Sequence, residues 1–422
     1  MVCFFDSCPD QISNGSLFSL MRRLRALRCL LVSLLTAVLV TGCAAITPRN
    51  ALPETAAQGQ PNEFRHIRYW GDEGASDVTI SAASPQVESE VLRGRNDATR
   101  RLNLLAISGG AEDGAFGAGL LAGWGDAGNR PPFDLVTGVS SGALIAPFVF
   151  LGRQRDVQLK EIFTKYSTKD IVDFDTPSLL QGSAILDNDP LSHLIERYVD
   201  REFMREIAVE RSRGRVLLIG TTNLDAQRPV LWDMGLIAAR DNLEALNLFR
   251  KVLLASATLP GVFAPVRIKV RVGGEVYDEL HVDGGVTRQV FMAPSILHLA
   301  SGNRTIANGA RLFVIRNGRI DPQWKSTNAN MVSVTLRSLS TLIKNQGIGD
   351  LYRIYSVSKA RGIEFNLASI PPDFNVPMDE LFDRKYMSAL FERGYEMGSH
   401  GYPWIKSLPG LQAADQQPHS KL

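Results

Sequence analysis

Cysteine is all but missing from this chain. The only four, Cys3, Cys8, Cys29 and Cys43, sit near the start of 422 residues, so everything downstream can form neither a disulfide nor a cysteine metal site. Net charge is nearly absent too, with 46 basic residues against 44 acidic ones. The small excess lies in the first 42 residues, where Arg22, Arg23, Arg25 and Arg28 outnumber Asp6 and Asp10. A neutral body offers no basic face to a phosphate backbone, which argues against a nucleic-acid partner. There is neither an internal repeat nor a low-complexity block. What the chain does have is 45% hydrophobic and 21% charged residues, the make-up of an ordinary globular protein with a large core.

The N-terminus reads as an address. Met21 to Arg28 forms a basic region, and Cys29 to Val40 an apolar run short of the ~20 residues a membrane span needs. Leu39-Val40-Thr41-Gly42-Cys43 resembles the lipobox of bacterial lipoprotein signal peptides. That resemblance implies a signal peptide over 21–42 and lipidation of Cys43. Ala44, where an Asp would retain the protein, then points to the outer membrane of a Gram-negative cell. An uncleaved anchor is the alternative. Residues 1–20 carry Asp6, Pro9 and Asp10 ahead of the basic cluster and read as an upstream start-site extension. Residues 43–100, with Pro48, Pro53, Pro61 and Pro85, read as a lipidated tether holding a short ordered piece at 64–70.

The most informative stretch is Gly138-Val139-Ser140-Ser141-Gly142. It follows an apolar run at 133–137 that reads as a buried strand and precedes 143–151, which reads as a buried helix. Strand, Gly-x-Ser-x-Gly, helix is the setting of a nucleophile elbow, where small flanking residues allow the turn and the serine hydroxyl is lifted clear of the sheet. Upstream, a strand at 102–108 leads through Gly109-Gly110-Ala111-Glu112-Asp113-Gly114 into a helix at 115–124. Such a loop turns backbone N–H groups toward an anion. It suits an oxyanion hole or, alternatively, a dinucleotide pyrophosphate. Against the second, Ala111 replaces the middle glycine of the fingerprint and no acidic residue ends the next strand.

Further along, helices are expected at 156–167 and from Asp189, as N-cap before Pro190, to Val199. Strands are expected at 216–222 and 229–233. A helix stops at the turn holding Pro260, and strands at 266–272 and 275–282 form a hairpin about Gly273-Gly274. The hairpin delivers Asp283, followed by Gly284 and Gly285. Ser140 needs a base. The order Ser140, Asp283, then His298 or His400 would make a triad, although His298 sits in an apolar helical run at 294–300 and His400 near a helix end. A dyad with Asp283 itself as base is the alternative, given a partly buried carboxylate of raised basicity.

The glycine loop at 109–114, Gly-Val-Ser-Ser-Gly at 138–142 and Asp-Gly-Gly at 283–285, in this order, resemble the patatin-like phospholipase family. The run Ala255 to Pro265 resembles the family's segment ahead of its aspartate block. The resemblance implies a three-layer α/β/α fold over 101–408, with a central, mostly parallel sheet and a flexible tail at 409–422. It implies a Ser140–Asp283 dyad and an oxyanion hole at Gly109, Gly110 and Ala111, with Gly114, Gly138, Gly142, Gly284 and Gly285 as motif glycines. It also implies hydrolysis of lipid or phospholipid esters without cofactor or metal. Two departures stand out: Ala111 where the family has a third glycine, and Asp113 where it has a basic residue. They keep open a Ser-Asp-His carboxylesterase and a catalytically silent lipid-binding protein. After the aspartate, a strand at 311–316, amphipathic helices at 331–344 and 350–359, a strand at 362–367 and a closing helix at 382–397 complete the reading.

Overall fold

Alternation of buried aliphatic residues along short strands gives the domain its two faces. The computed structural model describes residue 28 and residues 49–57, 67–72, 101–171, 187–292, 309–324 and 326–408. Cys43, the expected signal peptide apart from residue 28, His298 with its helical run, and the tail lie outside the described residues. The strands are β1 (Arg68–Trp70), β2 (Asn103–Ile107), β3 (Leu135–Val139), β4 (Val216–Asn223), β5 (Arg228–Asp233), β6 (Val266–Val272), β7 (Glu275–Asp283), β8 (Arg311–Arg316) and β9 (Glu364–Ser369). The longer helices are α1 (Gly114–Asp126), α2 (Ser141–Leu151), α3 (Asp156–Thr164), α4 (Asp189–Tyr198), α5 (Arg201–Ser212), α6 (Leu243–Ser256), α7 (Met331–Ala360) and α8 (Arg384–Ser399).

The sheet runs β1-β5-β4-β3-β2-β8-β9. Pairing is parallel from β4 through β3, β2 and β8 to β9, and antiparallel at β5 and β1. Successive side chains point to opposite faces. Leu105, Ile107, Ile219 and Ile315 pack with residues of α1, α2, α5, α6 and α8, while Leu104, Ala106, Leu218 and Val314 pack with Leu351, Ile354 and Tyr355 of α7. Helices therefore cover both faces, and the fold is the three-layer α/β/α arrangement with a mostly parallel sheet. The β6–β7 hairpin turns at Gly273 and Gly274, whose φ angles of 63° and 92° are the left-handed pair that a two-residue hairpin turn requires.

Several details differ from the sequence reading. The two helices expected at 331–344 and 350–359 are one continuous helix, α7. Gly347 does not break it, because the glycine makes room: a Cβ there would lie 2.3 Å from Arg316 Nη1. Asn188, not Asp189, caps α4, and its side-chain amide donates to the Ala264 carbonyl at 2.6 Å. The segment before 101 is also more than a tether. β1 pairs with β5, and the Asp278 amide donates to the Asn50 carbonyl at 2.7 Å. Arg68, 2% exposed, meets Glu279 of β7 through two hydrogen bonds of 2.5 and 3.1 Å.

Candidate active site

Sheet register brings Ser140 and Asp283 together. β3 ends at Val139, opposite Gly220 of β4. One residue further along β4, Thr221 faces Asp283 on β7, and the other edge of β4 there belongs to β5. β7 thus takes over the strand edge where β3 stops, and Asp283 ends at the level where Ser140 begins its turn. Ser140 has φ 55° and ψ −129°, a left-handed conformation that costs a non-glycine residue about 1–3 kcal/mol and persists when its surroundings enforce it. A Cβ on Gly138 would lie 2.5 Å from the Gly142 carbonyl, and one on Gly142 would lie 2.4 Å from the Ile107 carbonyl. Both expected motif glycines are needed for this approach.

A third serine holds the elbow. The Ser140 amide donates to Ser256 Oγ at 3.0 Å, and that hydroxyl donates to the Gly220 carbonyl at 2.7 Å. The neighbouring Thr258 carbonyl accepts the Asp283 amide at 2.9 Å. The run at 255–265 therefore ties nucleophile to acid. Sequence reading noted the run but not Ser256, which is wholly buried at the end of α6.

The Asp283 carboxylate is 4% exposed and accepts from the Gly285 amide at 2.7 Å. Burial pushes its pKa up to about 6, while the neighbouring Ser140 hydroxyl and the Gly285 amide pull it down. Gly284 is sterically required, since a Cβ there would lie 2.4 Å from the Gly220 carbonyl. Among the described residues, His281 is fully buried between Glu279 and Thr221, with contacts of 3.2 and 3.0 Å, and exposed His400 donates from Nδ1 to the Glu396 carbonyl at 2.8 Å.

In the glycine loop the three expected donors separate. The Gly109 amide donates to the Gln289 carbonyl at 3.1 Å and is not available to an oxyanion, a correction to the sequence reading. The amides of Gly110 and Ala111 form no backbone hydrogen bond among the described residues, and both residues border the same cavity as Ser140. Ala111 keeps the left-handed conformation, φ 50°, that a glycine would adopt more readily. Asn317, after β8, fixes the loop: its amide donates to Ser108 Oγ and its side-chain amide to the Ser108 carbonyl, each at 2.8 Å, while its Oδ1 accepts from the Gly117 amide at 3.0 Å. No motif marks this residue. Gly114 starts α1, where a Cβ would lie 2.6 Å from that of Ser141.

The loop's acidic residues face α8. Glu112 accepts the Phe382 amide at 3.0 Å, and Asp113 accepts the Tyr386 hydroxyl at 2.5 Å. Burial raises Asp113 to about 7 against the pull of that hydroxyl. Ser140 and Asp283 open onto a cavity of about 1090 Å³ walled by Leu144, Phe148, Phe163, Ile195, Phe263 and Met387. An apolar cavity of this size with a few convergent polar groups is the usual form of a small-molecule site.

Fold and site together define a three-layer α/β/α domain carrying a serine on a strained strand-to-helix elbow beside a buried carboxylate. Residues 105–294 match the family model described as patatin-like phospholipase. Among solved structures it is similar to VipD from Legionella pneumophila, with 9% identity, a TM-score of 0.32 and coverage of 71% of this chain. The match spans 66% of that protein, just under two thirds. No curated protein matches by sequence.

Proposed function

We propose that this protein is a lipid acyl hydrolase of the phospholipase A or lysophospholipase type, working through Ser140 and Asp283 without a histidine. The observation that carries this reading is the buried Asp283 carboxylate that strand register brings to the level of Ser140, both residues bordering the same large cavity. With its pKa near 6, Asp283 is ionised at neutral pH yet more basic than an exposed aspartate. In the first step Ser140 Oγ attacks the ester carbonyl and its proton passes to Asp283. The amides of Gly110 and Ala111 hold the oxyanion. As the intermediate collapses, the departing alcohol takes the proton from Asp283 and leaves the acyl group on Ser140. Water, deprotonated by Asp283, then attacks the acyl ester; as the C–O bond to Ser140 breaks, Ser140 Oγ takes that proton back from Asp283 and the fatty acid is released. The acyl chain occupies the apolar walls.

In the same reading Cys43 carries a lipid that tethers the domain to the outer membrane. No helix among the described residues is long and apolar enough to cross a membrane.

The test is fatty-acid release from mixed phospholipid vesicles by the full chain and by Ser140→Ala. Release that disappears in the variant supports the proposal, and release that persists removes Ser140 as nucleophile. Loss of turnover in a folded His400→Ala protein would overturn the histidine-free dyad.

A further inference from the structure

The cavity above Ser140 is apolar on one side only. Where the end of β8 and the first half of α7 border it, its lining includes Arg316, Arg319, Arg337 and Lys344. Three of these have a polar contact that holds them in place: Arg319 with Asp321, Arg337 with the Gln323 carbonyl at 2.8 Å, and Lys344 with the Asp321 carbonyl at 2.5 Å. Arg316 differs. It is 4% exposed, yet its Nε and Nη1 have no hydrogen-bond partner among the described residues. Its Nη2 donates over a long 3.4 Å to the Lys344 carbonyl.

A buried donor without a partner forfeits stability, the more so when charged. The fold makes a second concession at the same place. Gly347 stands inside α7 because a Cβ there would lie 2.3 Å from Arg316 Nη1, and a helix-interior glycine is less stable than alanine. Two sacrifices of stability around one guanidinium point to a ligand that satisfies it.

The charge layout indicates the ligand's sign. Asp113 lies near Arg316: a Cβ on Gly318 would lie 4.0 Å from both Asp113 Oδ2 and Arg316 Nε, and each shifts the other's titration. Asp113 is already engaged by Tyr386, and burial keeps it partly protonated near neutral pH, so it does not fully offset Arg316. Lys344 is depressed by burial, against the pull of Asp321, and further by Arg316, Arg319 and Arg337, so these cations lie close enough to act on one another, with Asp321 and Asp350 as nearby counter-charges. A second orphan atom lies between this group and the nucleophile. Gln289 Oε1 is buried without a partner, 2.6 Å from where a Cβ on Gly109 would stand, and Ser140 Cβ is 2.7 Å from the same point.

We infer that Arg316, with Lys344 at its rim, is a subsite for a phosphate bearing uncompensated negative charge, so that lipids with net-anionic head groups are preferred over zwitterionic ones. The guanidinium's planar fork suits two phosphate oxygens at once. This inference rests on reading Ser140 as the nucleophile of a lipid hydrolase.

The test uses soluble short-chain lipids below their micelle concentration, which removes vesicle surface charge from the comparison. Dihexanoyl phosphatidylglycerol, dihexanoyl phosphatidylethanolamine and dihexanoyl glycerol are offered to the full chain, and their binding to Ser140→Ala is titrated by calorimetry. The phosphatidylglycerol-to-phosphatidylethanolamine ratio should be roughly tenfold in kcat/KM and in affinity. Arg316→Gln and Lys344→Gln should each bring it toward one. Should Arg316→Gln fail to fold, the wild-type ratio and half-buried Lys344 decide. Inorganic phosphate separates the sources of the ligand: competitive inhibition that Lys344→Gln weakens assigns the site to free phosphate as well, and no inhibition with the preference intact assigns it to the lipid head group. Equal rates and equal binding for the two phospholipids overturn the inference while leaving Ser140-dependent hydrolysis standing. Selective binding without hydrolysis of any of the three lipids overturns the hydrolase reading and leaves the subsite.

Discussion

Asp283 combines burial with a neighbouring hydroxyl, and the two set opposite demands on pH. As a base it must be ionised, so kcat/KM should climb as pH rises toward about 6 and level off above it. Asp283→Asn should lose at least 10²–10⁴-fold at pH 8, the usual worth of a positioned general base. Stability runs the other way. The folded pKa lies above the ordinary 3.8, so the native state holds this proton more tightly than the unfolded chain does. That contribution is fully present below about pH 4 and is lost as pH rises through 6. Unfolding midpoints of wild type and Asp283→Asn should therefore converge near pH 4. Above pH 6 the variant should be the more stable, by up to about 3 kcal/mol at 1.36 kcal/mol per pKa unit. A variant less stable at pH 8 would mean that the Ser140 hydroxyl and the Gly285 amide outweigh the buried charge. At Ala111, replacement by glycine should relieve about 1 kcal/mol of left-handed strain, read as a higher unfolding midpoint.

At the scale of elements, α1 and α8 meet backbone to backbone. Cβ atoms on Gly119 and Gly123 would lie 2.0 and 2.1 Å from the Phe391 and Tyr395 carbonyls, and one on Gly398 would lie 2.2 Å from that of Leu120. Gly119→Ala must push the helices apart and should destabilise by about 1–3 kcal/mol or more. Because α8 also holds Asp113 through Tyr386, turnover should fall along with stability. Ser256→Ala strips the Ser140 amide of its acceptor. It should lower kcat while leaving KM nearly unchanged, and an unchanged kcat would show that the elbow holds itself.

The elements that were legible in the sequence are those fixed by neighbours along the chain. The elbow, the glycine loop and the Gly273-Gly274 hairpin depend on local turn chemistry, and the structure places them within a residue or two of where the pattern does. What the residues alone left open was the choice between Asp283 and a histidine. The placement of Asp283 beside Ser140 turns on β7 replacing β3 along β4, a matter of register between segments far apart in sequence. Ser256, Asn317 and Gln289 escaped for the same reason: each is an ordinary polar residue until folding carries it to the loop. The continuity of α7 was hidden because Gly347 reads locally as a break, whereas its role is set by Arg316 across the fold.

For the whole molecule, the segment before the matched domain belongs to its structure. Removing residues 1–100 deletes β1 and leaves Glu279, 2% exposed, without Arg68. Breaking a buried pair by removing one partner typically forfeits 3–5 kcal/mol. A chain beginning at Arg101 should thus unfold at a markedly lower temperature than one beginning at Arg49, and equal midpoints would show the clasp to be dispensable. The same clasp has a consequence in time. Arg68 and Glu279 are 211 residues apart, so at synthesis rates of roughly 5–20 residues per second tens of seconds pass between the appearance of one and the other. Until β7 emerges Arg68 cannot meet Glu279, so the clasp closes only after β5, the sheet partner of β1, has been made.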